Sequence, residues 1–442
     1  MEITRQKLKQ ALEKMYGSEL TDLEAVDYED RLKQYFTLLI KIDQRNKKTI
    51  KMIDTVALTL KQGSFTILDH DKFNPSTRGL YDASAGYYRL GSRSNITCKQ
   101  NPSHSELKSG IRKPRLTVVK RINQQKDFEI TLRIELSIPK FIYGNSFDEL
   151  TNDLFPDIVQ KLKVALYEMG VYVYETHLAN AYVSLVHFSK NIVLTDYTTP
   201  YLYLEQLKKL NINKKLDTNR TDFRNEGHSF KYRANYFEVV FYDKIKDLKR
   251  AKFSEKRSEE KDNFSQLQLL DVLEKLKPFE VLRMEVRLNR RQEIRQILNK
   301  IGVELEPTFK NIFNQEISKK ILLHYLSEIE SSYPPLLIYE YDTPKKFFND
   351  FLLDNPTIKL STALKMLGMR VLLNETGVRE FREIAKRYGN HTWYTLNKEM
   401  KNLNNTKKGV VIFQNLRNEL TKFKPLKLVD FQEEMLNNDK YD

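Results

Sequence analysis

The sequence is nearly without cysteine. Cys98 is the only one in 442 residues, which excludes an internal disulfide and any CxxC zinc knuckle, and fits a reducing compartment. No run approaches the roughly 18 apolar residues of a membrane span. The opening "MEITRQKLKQALEKMYG" lacks the apolar centre of a signal peptide, so a soluble, cytoplasmic protein is expected. The seven histidines include no His-x-His and no HExxH pair. There is no GxxxxGK[ST] loop to cradle a nucleotide, and no Ser/His/Asp triad can be argued from spacing.

What is present is positive charge and apolar bulk. Lys and Arg number 74 against 59 Asp and Glu, a formal +15. A surplus of that size favours a polyanionic partner, with nucleic acid first; the plain alternative is a basic surface inflated by an A/T-rich genome. Hydrophobic residues make up 40% and aromatics 11%, enough for sizeable cores.

Along the chain, residues 1–50 read as two charged amphipathic helices forming an N-terminal extension. Residues 51–306 mix strands and helices, and residues 307–442 are helical and basic. "SSYPPLLIYEYDTP", with three prolines, reads as a linker within that last part. The expected class is α+β: a duplicated antiparallel-sheet core with flanking helices, followed by a helical C-terminal domain. The duplication rests on "FEITLRIELSI" from Phe128 and "FEVLRMEVRL" from Phe279, which share Leu-Arg-x-Glu and are each followed by a helix. It divides the core into halves of about 51–170 and 171–306. It also makes Glu135 equivalent to Glu285 and, more loosely, Asp54 equivalent to His187.

A carboxylate inside a strand is costly to bury unless it is paired or bound to a metal. Glu135 and Glu285 are such carboxylates, and with Asp54 on the first strand they form a candidate oxygen-ligand cluster for Mg²⁺ or Mn²⁺. The plain alternative for both glutamates is an exposed sheet face or an ion pair with an arginine: Arg133 or another for Glu135, Arg283 or Arg287 for Glu285. His187 could add a nitrogen ligand; a lone strand histidine is more often structural.

"YFEVVFYDKIKDL" reads as a buried strand carrying Tyr242 near its end. Strand alternation places Tyr242 and Lys244 on one side. A phenol of ordinary pKa is a poor nucleophile near neutrality and needs a cation or base beside it, a part Lys244 would play. "YYRLGSRSN" places Arg89, Ser92 and Arg93 around a glycine, where backbone N–H groups and guanidinium forks could approach a phosphate. Between Arg379 and Lys424 there are eleven Lys/Arg against four Asp/Glu. Arg379, Arg382, Lys386 and Arg387 would serve a helix-turn-helix-like DNA reader, or the segment is a docking bundle. Trp393 and Tyr394 could stack on bases, though aromatics at helical spacing are more often core.

The ordered set "MIDTVALTL", "YYRLGSRS", "LRIELSIPKFIYGNSFDEL", "FEVVFYDKIKDL" and "VLRMEVRLNRR" resembles the rolling-circle replication initiators of the phage and plasmid gene II/X family. It is also similar to the Rep proteins of staphylococcal rolling-circle plasmids. The resemblance covers residues 51–300, some 250 of the 442. It implies that Tyr242 is a nucleophile that nicks origin DNA through a 5′-phosphotyrosyl link, with Lys244 beside it, and that the freed 3′-OH primes a polymerase. It assigns Asp54, Glu135 and Glu285 to a divalent metal. Arg283 and Arg287, flanking Glu285, join the DNA-binding candidates. The implied partners are double- and single-stranded origin DNA, a host helicase and polymerase, and a second copy of the chain. His187 stands where the family usually has an aspartate. The rival expectation is a DNA-binding initiator or repressor without catalysis.

Overall fold

The computed structural model describes residues 50, 51, 53–81, 96–108, 111–122, 128–151, 154–194, 198–209, 222–224, 228–233, 237–251, 280–331, 333–337, 343–389, 391–403, 411–424 and 426. The expected helices of residues 1–50 therefore lie almost wholly outside the described residues.

Thirteen strands are described: β1 (Ile50–Lys51), β2 (Ile53–Lys61), β3 (Thr66–Ile67), β4 (Ile96–Gln100), β5 (Arg115–Ile122), β6 (Phe128–Ser137), β7 (Leu150–Thr151), β8 (Val171–Tyr172), β9 (Tyr182–Val193), β10 (Asp222–Arg224), β11 (Ser229–Arg233), β12 (Phe237–Asp243) and β13 (Val281–Leu288). Nine of them form one antiparallel sheet in the order β10-β11-β12-β13-β9-β2-β6-β5-β4. The α+β class with a large antiparallel sheet is therefore as the sequence reading has it. Outward from the central β2–β9 pair, the strand order is the same on each side: β2, β6, β5, β4 in one direction and β9, β13, β12, β11 in the other.

Alternation divides the sheet into two unlike faces. One is apolar: Val56, Leu58 and Leu60 on β2, Leu132 and Ile134 on β6, Val186 and Phe188 on β9, and Met284 and Val286 on β13 are all buried. Helices cover this face because it must be withdrawn from water. The principal helices are α1 (Ile138–Tyr143), α2 (Phe155–Glu168), α3 (Pro200–Lys208), α4 (Lys244–Ala251), α5 (Arg291–Lys300), α6 (Gln315–Glu330), α7 (Pro344–Asp354), α8 (Leu360–Lys386), α9 (Thr392–Lys401) and α10 (Val411–Lys422); α3, α5, α6 and α10 pack against β9, β12 or β13, whereas α7, α8 and α9 pack on one another. Ile317, Ile321, Leu322, Tyr325 and Leu326 of α6 belong to the same hydrophobic cluster as the sheet. Tyr325 lies 4.9 Å from the ring of Phe237 on β12. Trp393, Phe413 and Leu416 are part of that cluster too, so helices beyond residue 307 share one core with the sheet.

Within the stretch read as a linker, the described residues 333–337 are pinned into the core. Tyr333, Leu336 and Leu337 are buried, and Tyr333 packs 5.6 Å from Phe413 and donates a hydrogen bond to Gln206. The opposite face of the sheet is polar, and the candidate site lies on it.

Candidate functional site

The site begins with a fault in strand pairing. Along β2 and β9 the register runs Thr55↔His187 and then Ile53↔Phe188. Two residues of β2, Asp54 and Thr55, thus face one of β9. Such a bulge breaks the alternation and re-aims a side chain. Here it delivers Asp54 to the polar face. Its Oδ1 accepts from the Ser137 hydroxyl at 2.9 Å, and its Oδ2 accepts from Nη2 of Arg283 at 2.7 Å.

Arg283 is the centre of a buried polar network and is only 2% exposed. Nη2 also donates to Ser189 Oγ at 2.8 Å, and Nη1 donates to the Ser146 carbonyl at 2.9 Å and to Asn191 Oδ1 at 3.3 Å. Among the described residues its Nε has no partner. Burial works against this charge, but the neighbouring Tyr242, Asp54 and Glu285 outweigh burial and hold the guanidinium above its ordinary value.

The loop that covers Arg283 is set by one backbone turn. Gly144 ends α1 at φ 75°, a left-handed conformation that glycine adopts without penalty. Asn145 then accepts from the N–H groups of Phe147 and Asp148. Glu149, at the loop's end, accepts from Lys190 Nζ at 2.8 Å, from Asn191 N at 2.6 Å and from Leu426 N at 2.8 Å. Its carboxylate occupies the edge of β9 that β2 leaves open beyond Phe188.

Next to Arg283 on β13 comes Glu285, also 2% exposed. Arg287 grips it with a two-toothed fork, Nε to Oε1 at 3.0 Å and Nη2 to Oε2 at 3.1 Å. His187 Nδ1 lies 3.3 Å from Oε1. Burial alone would raise this carboxyl's pKa; Arg287 and His187 overcome it and hold Glu285 well below the usual carboxylate range. The chain of charge continues outward from Arg287 to Glu238 and from Glu238 to Lys231 at 2.7 Å.

Tyr242 pairs directly across from Arg283 in the β12–β13 register and is half-buried. Burial pushes its phenol well above the ordinary tyrosine value, with Arg283 pulling it down and Glu285 pushing it up. Strand alternation does not place Lys244, because β12 ends at Asp243 and Lys244 opens α4. Asp243 Oδ1 accepts from Lys246 N at 2.9 Å, the usual work of a helix N-cap. Lys244 still lies beside the tyrosine: Nζ is 5.9 Å from the centre of its ring and donates to Ser146 Oγ at 3.0 Å. Lys244 is 2% exposed.

Glu135 is not brought into this group. It pairs across from Ala57 on β2 and Arg115 on β5, and Arg133 holds it at 2.8 Å. Three strand spacings separate β6 from β13, about 14 Å across the sheet, and four residues along β9 add about 13 Å in the other direction. Carboxylate ligands bind within about 2.0–2.6 Å of an ion, so Glu135 and Glu285 do not meet on one metal as arranged. Among the described residues no group of three or more His, Cys, Asp or Glu side chains could hold a metal ion. Asp54 and Glu285 are engaged by Arg283 and Arg287. The arrangement therefore does not fit the divalent ion that the sequence leads one to expect.

The other DNA-binding candidates are scattered. Arg89, Ser92 and Arg93 lie outside the described residues, as does the Arg379 side chain. Arg283 is buried, and Arg287 is partly exposed. Arg382 lies 6.0 Å from the Tyr394 ring, Lys386 pairs with Glu383, and Arg387 is exposed at the end of α8. Trp393 is core, 3% exposed and edge-on to Phe381 at 6.0 Å, so it is no platform for a base.

The network also contains residues that sequence reasoning passed over: Ser146, Glu149, Ser189, Lys190 and Asn191. The signal for three of them was "SKN" in the middle of the apolar strand "SLVHFSKNIVL", a polar run that a buried strand tolerates only when it is fully partnered.

No protein-family model matches the chain, and neither a curated protein nor a solved structure matches it.

Proposed function

We propose that this chain is a DNA nicking-closing enzyme that starts rolling-circle replication, with Tyr242 as the nucleophile. One observation carries the reading: a tyrosine on the polar face of the sheet stands across from a buried arginine that is bonded to Asp54 and followed two residues later by the buried Glu285. The tyrosine oxygen attacks phosphorus, a phosphotyrosyl bond forms on the 5′ side, and the bond to the 3′ oxygen breaks. The phenolic proton passes through solvent and the departing oxygen leaves as a 3′-hydroxyl, which a polymerase can extend. Closing is the reverse. The phosphotyrosyl bond conserves the energy of the phosphodiester, as strand rejoining requires.

Arg283 supports this chemistry from beneath, since its charge favours the phenolate that burial disfavours. Arg287, Lys231 and Arg115 carry positive charge on the same face, where phosphates would be held. The matching strand order on the two sides of β2–β9, with Leu-Arg-x-Glu on both β6 and β13, supports reading the sheet as two copies of one unit.

A second reading, a DNA-binding initiator without catalysis, draws on a specific observation: the Tyr242 phenol is held protonated and both nearby carboxylates are already satisfied. Supercoiled DNA carrying the element's own intergenic sequence separates the two. Wild-type protein nicks it and stays on the 5′ end, assayed in Mg²⁺, in Mn²⁺ and in chelator; binding with no nicking in any condition leaves only the second reading.

A further inference from the structure

Apart from the polar network, a second basic feature is an open pocket. A space of about 370 Å³ opens between α1, α2 and the segment that precedes β5. That volume is at the small end of ligand pockets, the scale of one nucleotide and not of a folded partner. Its wall carries four cations, Arg112, Lys113, Lys140 and Lys161, against one carboxylate, Glu168. Lys113 is paired with Glu106 at 2.9 Å. Lys161 donates to the Phe141 carbonyl at 2.8 Å, a neutral acceptor that leaves the ammonium charge in place.

The remaining lining is apolar. Phe141, Ile142 and Ala165 form part of it, while Ile111 and Val164 stand 47% and 53% exposed at the cavity. Cations and exposed aliphatic side chains around one small space suit a ligand that is anionic at one end and flat and apolar at the other.

The chain links this cavity to the network. β6 ends at Ser137, which bonds Asp54, and α1 follows at once with Lys140 and Phe141. Gly144 lines the cavity, and two residues later the Ser146 carbonyl accepts from Arg283. Lys140 is one helical turn from Ser137, about 5 Å of rise, so the cavity wall and the network are built on one continuous segment. We propose that the cavity between α1, α2 and the 111–114 segment binds one nucleotide, its phosphate among Arg112, Lys140 and Lys161 and its base against Ile111 and Val164. The ligand's chemistry rests on the nucleic-acid reading above; the site does not depend on nicking.

Binding to the full chain tests it, with thymidine 5′-monophosphate, fluorescent decathymidylate, inorganic phosphate and a decaglutamate peptide as probes. Lys140→Glu weakens decathymidylate binding about tenfold, and Val164→Asn, which removes apolar surface without adding charge, weakens it while leaving inorganic phosphate unaffected. Lys163→Glu, the same charge reversal on α2 at a residue outside the cavity lining and paired with Glu175, does not. Melting temperatures within about 2 °C of wild type show that the fold is intact. Loss confined to the mononucleotide assigns the site to free nucleotide; loss for the oligonucleotide assigns it to a strand; both uphold a nucleotide site. The proposal is overturned if Lys163→Glu weakens binding as much as Lys140→Glu, if neither cavity variant changes any affinity, or if the peptide competes better than the mononucleotide. A protein that binds as described but never nicks overturns only the nicking reading. A protein that nicks while its cavity variants bind normally overturns only the cavity.

Discussion

β6 and β13 carry the same Leu-Arg-x-Glu frame, each beside a central strand and on the polar face, yet their environments are opposite. Around β13 the arginine and the glutamate are both 2% exposed and are bound into a network that includes Asp54, His187, Ser189 and Asn191. Around β6, Arg133 and Glu135 pair mainly with each other, with side chains 40% and 35% exposed. A motif fixes which residues share a face. Burial and long-range partners decide whether they form an ordinary surface ion pair or a charged centre with perturbed protonation.

The comparison is broken most sharply by removing the two arginines. Arg283→Met leaves Asp54, a half-buried carboxylate, without its cation and opens a buried polar network, and the expected loss is about 3 kcal/mol. Arg133→Met, at the same position of the Leu-Arg-x-Glu motif, is expected to lose under about 1 kcal/mol. Urea unfolding of both variants gives the two numbers, and equal losses would erase the distinction between the sides.

Glu285→Gln and Glu135→Gln form the next pair. The first forfeits the charged fork to Arg287 and is expected to destabilise by about 2–3 kcal/mol; the second stays within about 1 kcal/mol. The loss at Glu285 also has a pH signature. Its folded pKa lies below the unfolded value, so its contribution is complete above the ordinary carboxylate value of about 4.3 and disappears as pH falls through the depressed folded value. Wild type and Glu285→Gln should therefore differ by a constant amount from neutral pH down to about pH 5 and converge only in stronger acid. Convergence already near neutrality would show that Glu285 is not held as an ion.

A subtler effect concerns Tyr242. Burial raises its phenol, so the deprotonated fraction grows with pH across the whole assay range. Nicking is expected to rise steadily with pH, without the plateau near about 10 that an ordinary tyrosine would give.

Much of this arrangement was legible in the sequence. The alternation of "FEITLRIELSI" and "FEVLRMEVRL" placed the strands and the faces of Glu135 and Glu285, and the ion-pair alternative had Arg133 for Glu135 but left Arg283 and Arg287 both open for Glu285, where Arg287 is the partner. Asp54 was legible as a strand carboxylate, but its turn toward Arg283 comes from a one-residue slip between β2 and β9. No local pattern encodes such a slip, because register belongs to the pair of strands. Lys244 reached the tyrosine's side by a different route from the expected one. Asp243 is a helix cap, and "DKIKDL" carried that signal within a stretch read as strand. The covering loop from Gly144 to Glu149 joins residues over a hundred positions away to itself, and only the fold brings Arg283 beneath it.

The central claim is that the phenol on the buried side of this comparison makes a covalent bond to DNA. The most direct measurement is to incubate the protein with nicked-site DNA, trap the adduct, digest it and locate the nucleotide by mass spectrometry. A nucleotide is expected on the peptide containing Tyr242, and no adduct with Tyr242→Phe. An adduct on any other tyrosine, or full nicking by Tyr242→Phe, would contradict the claim.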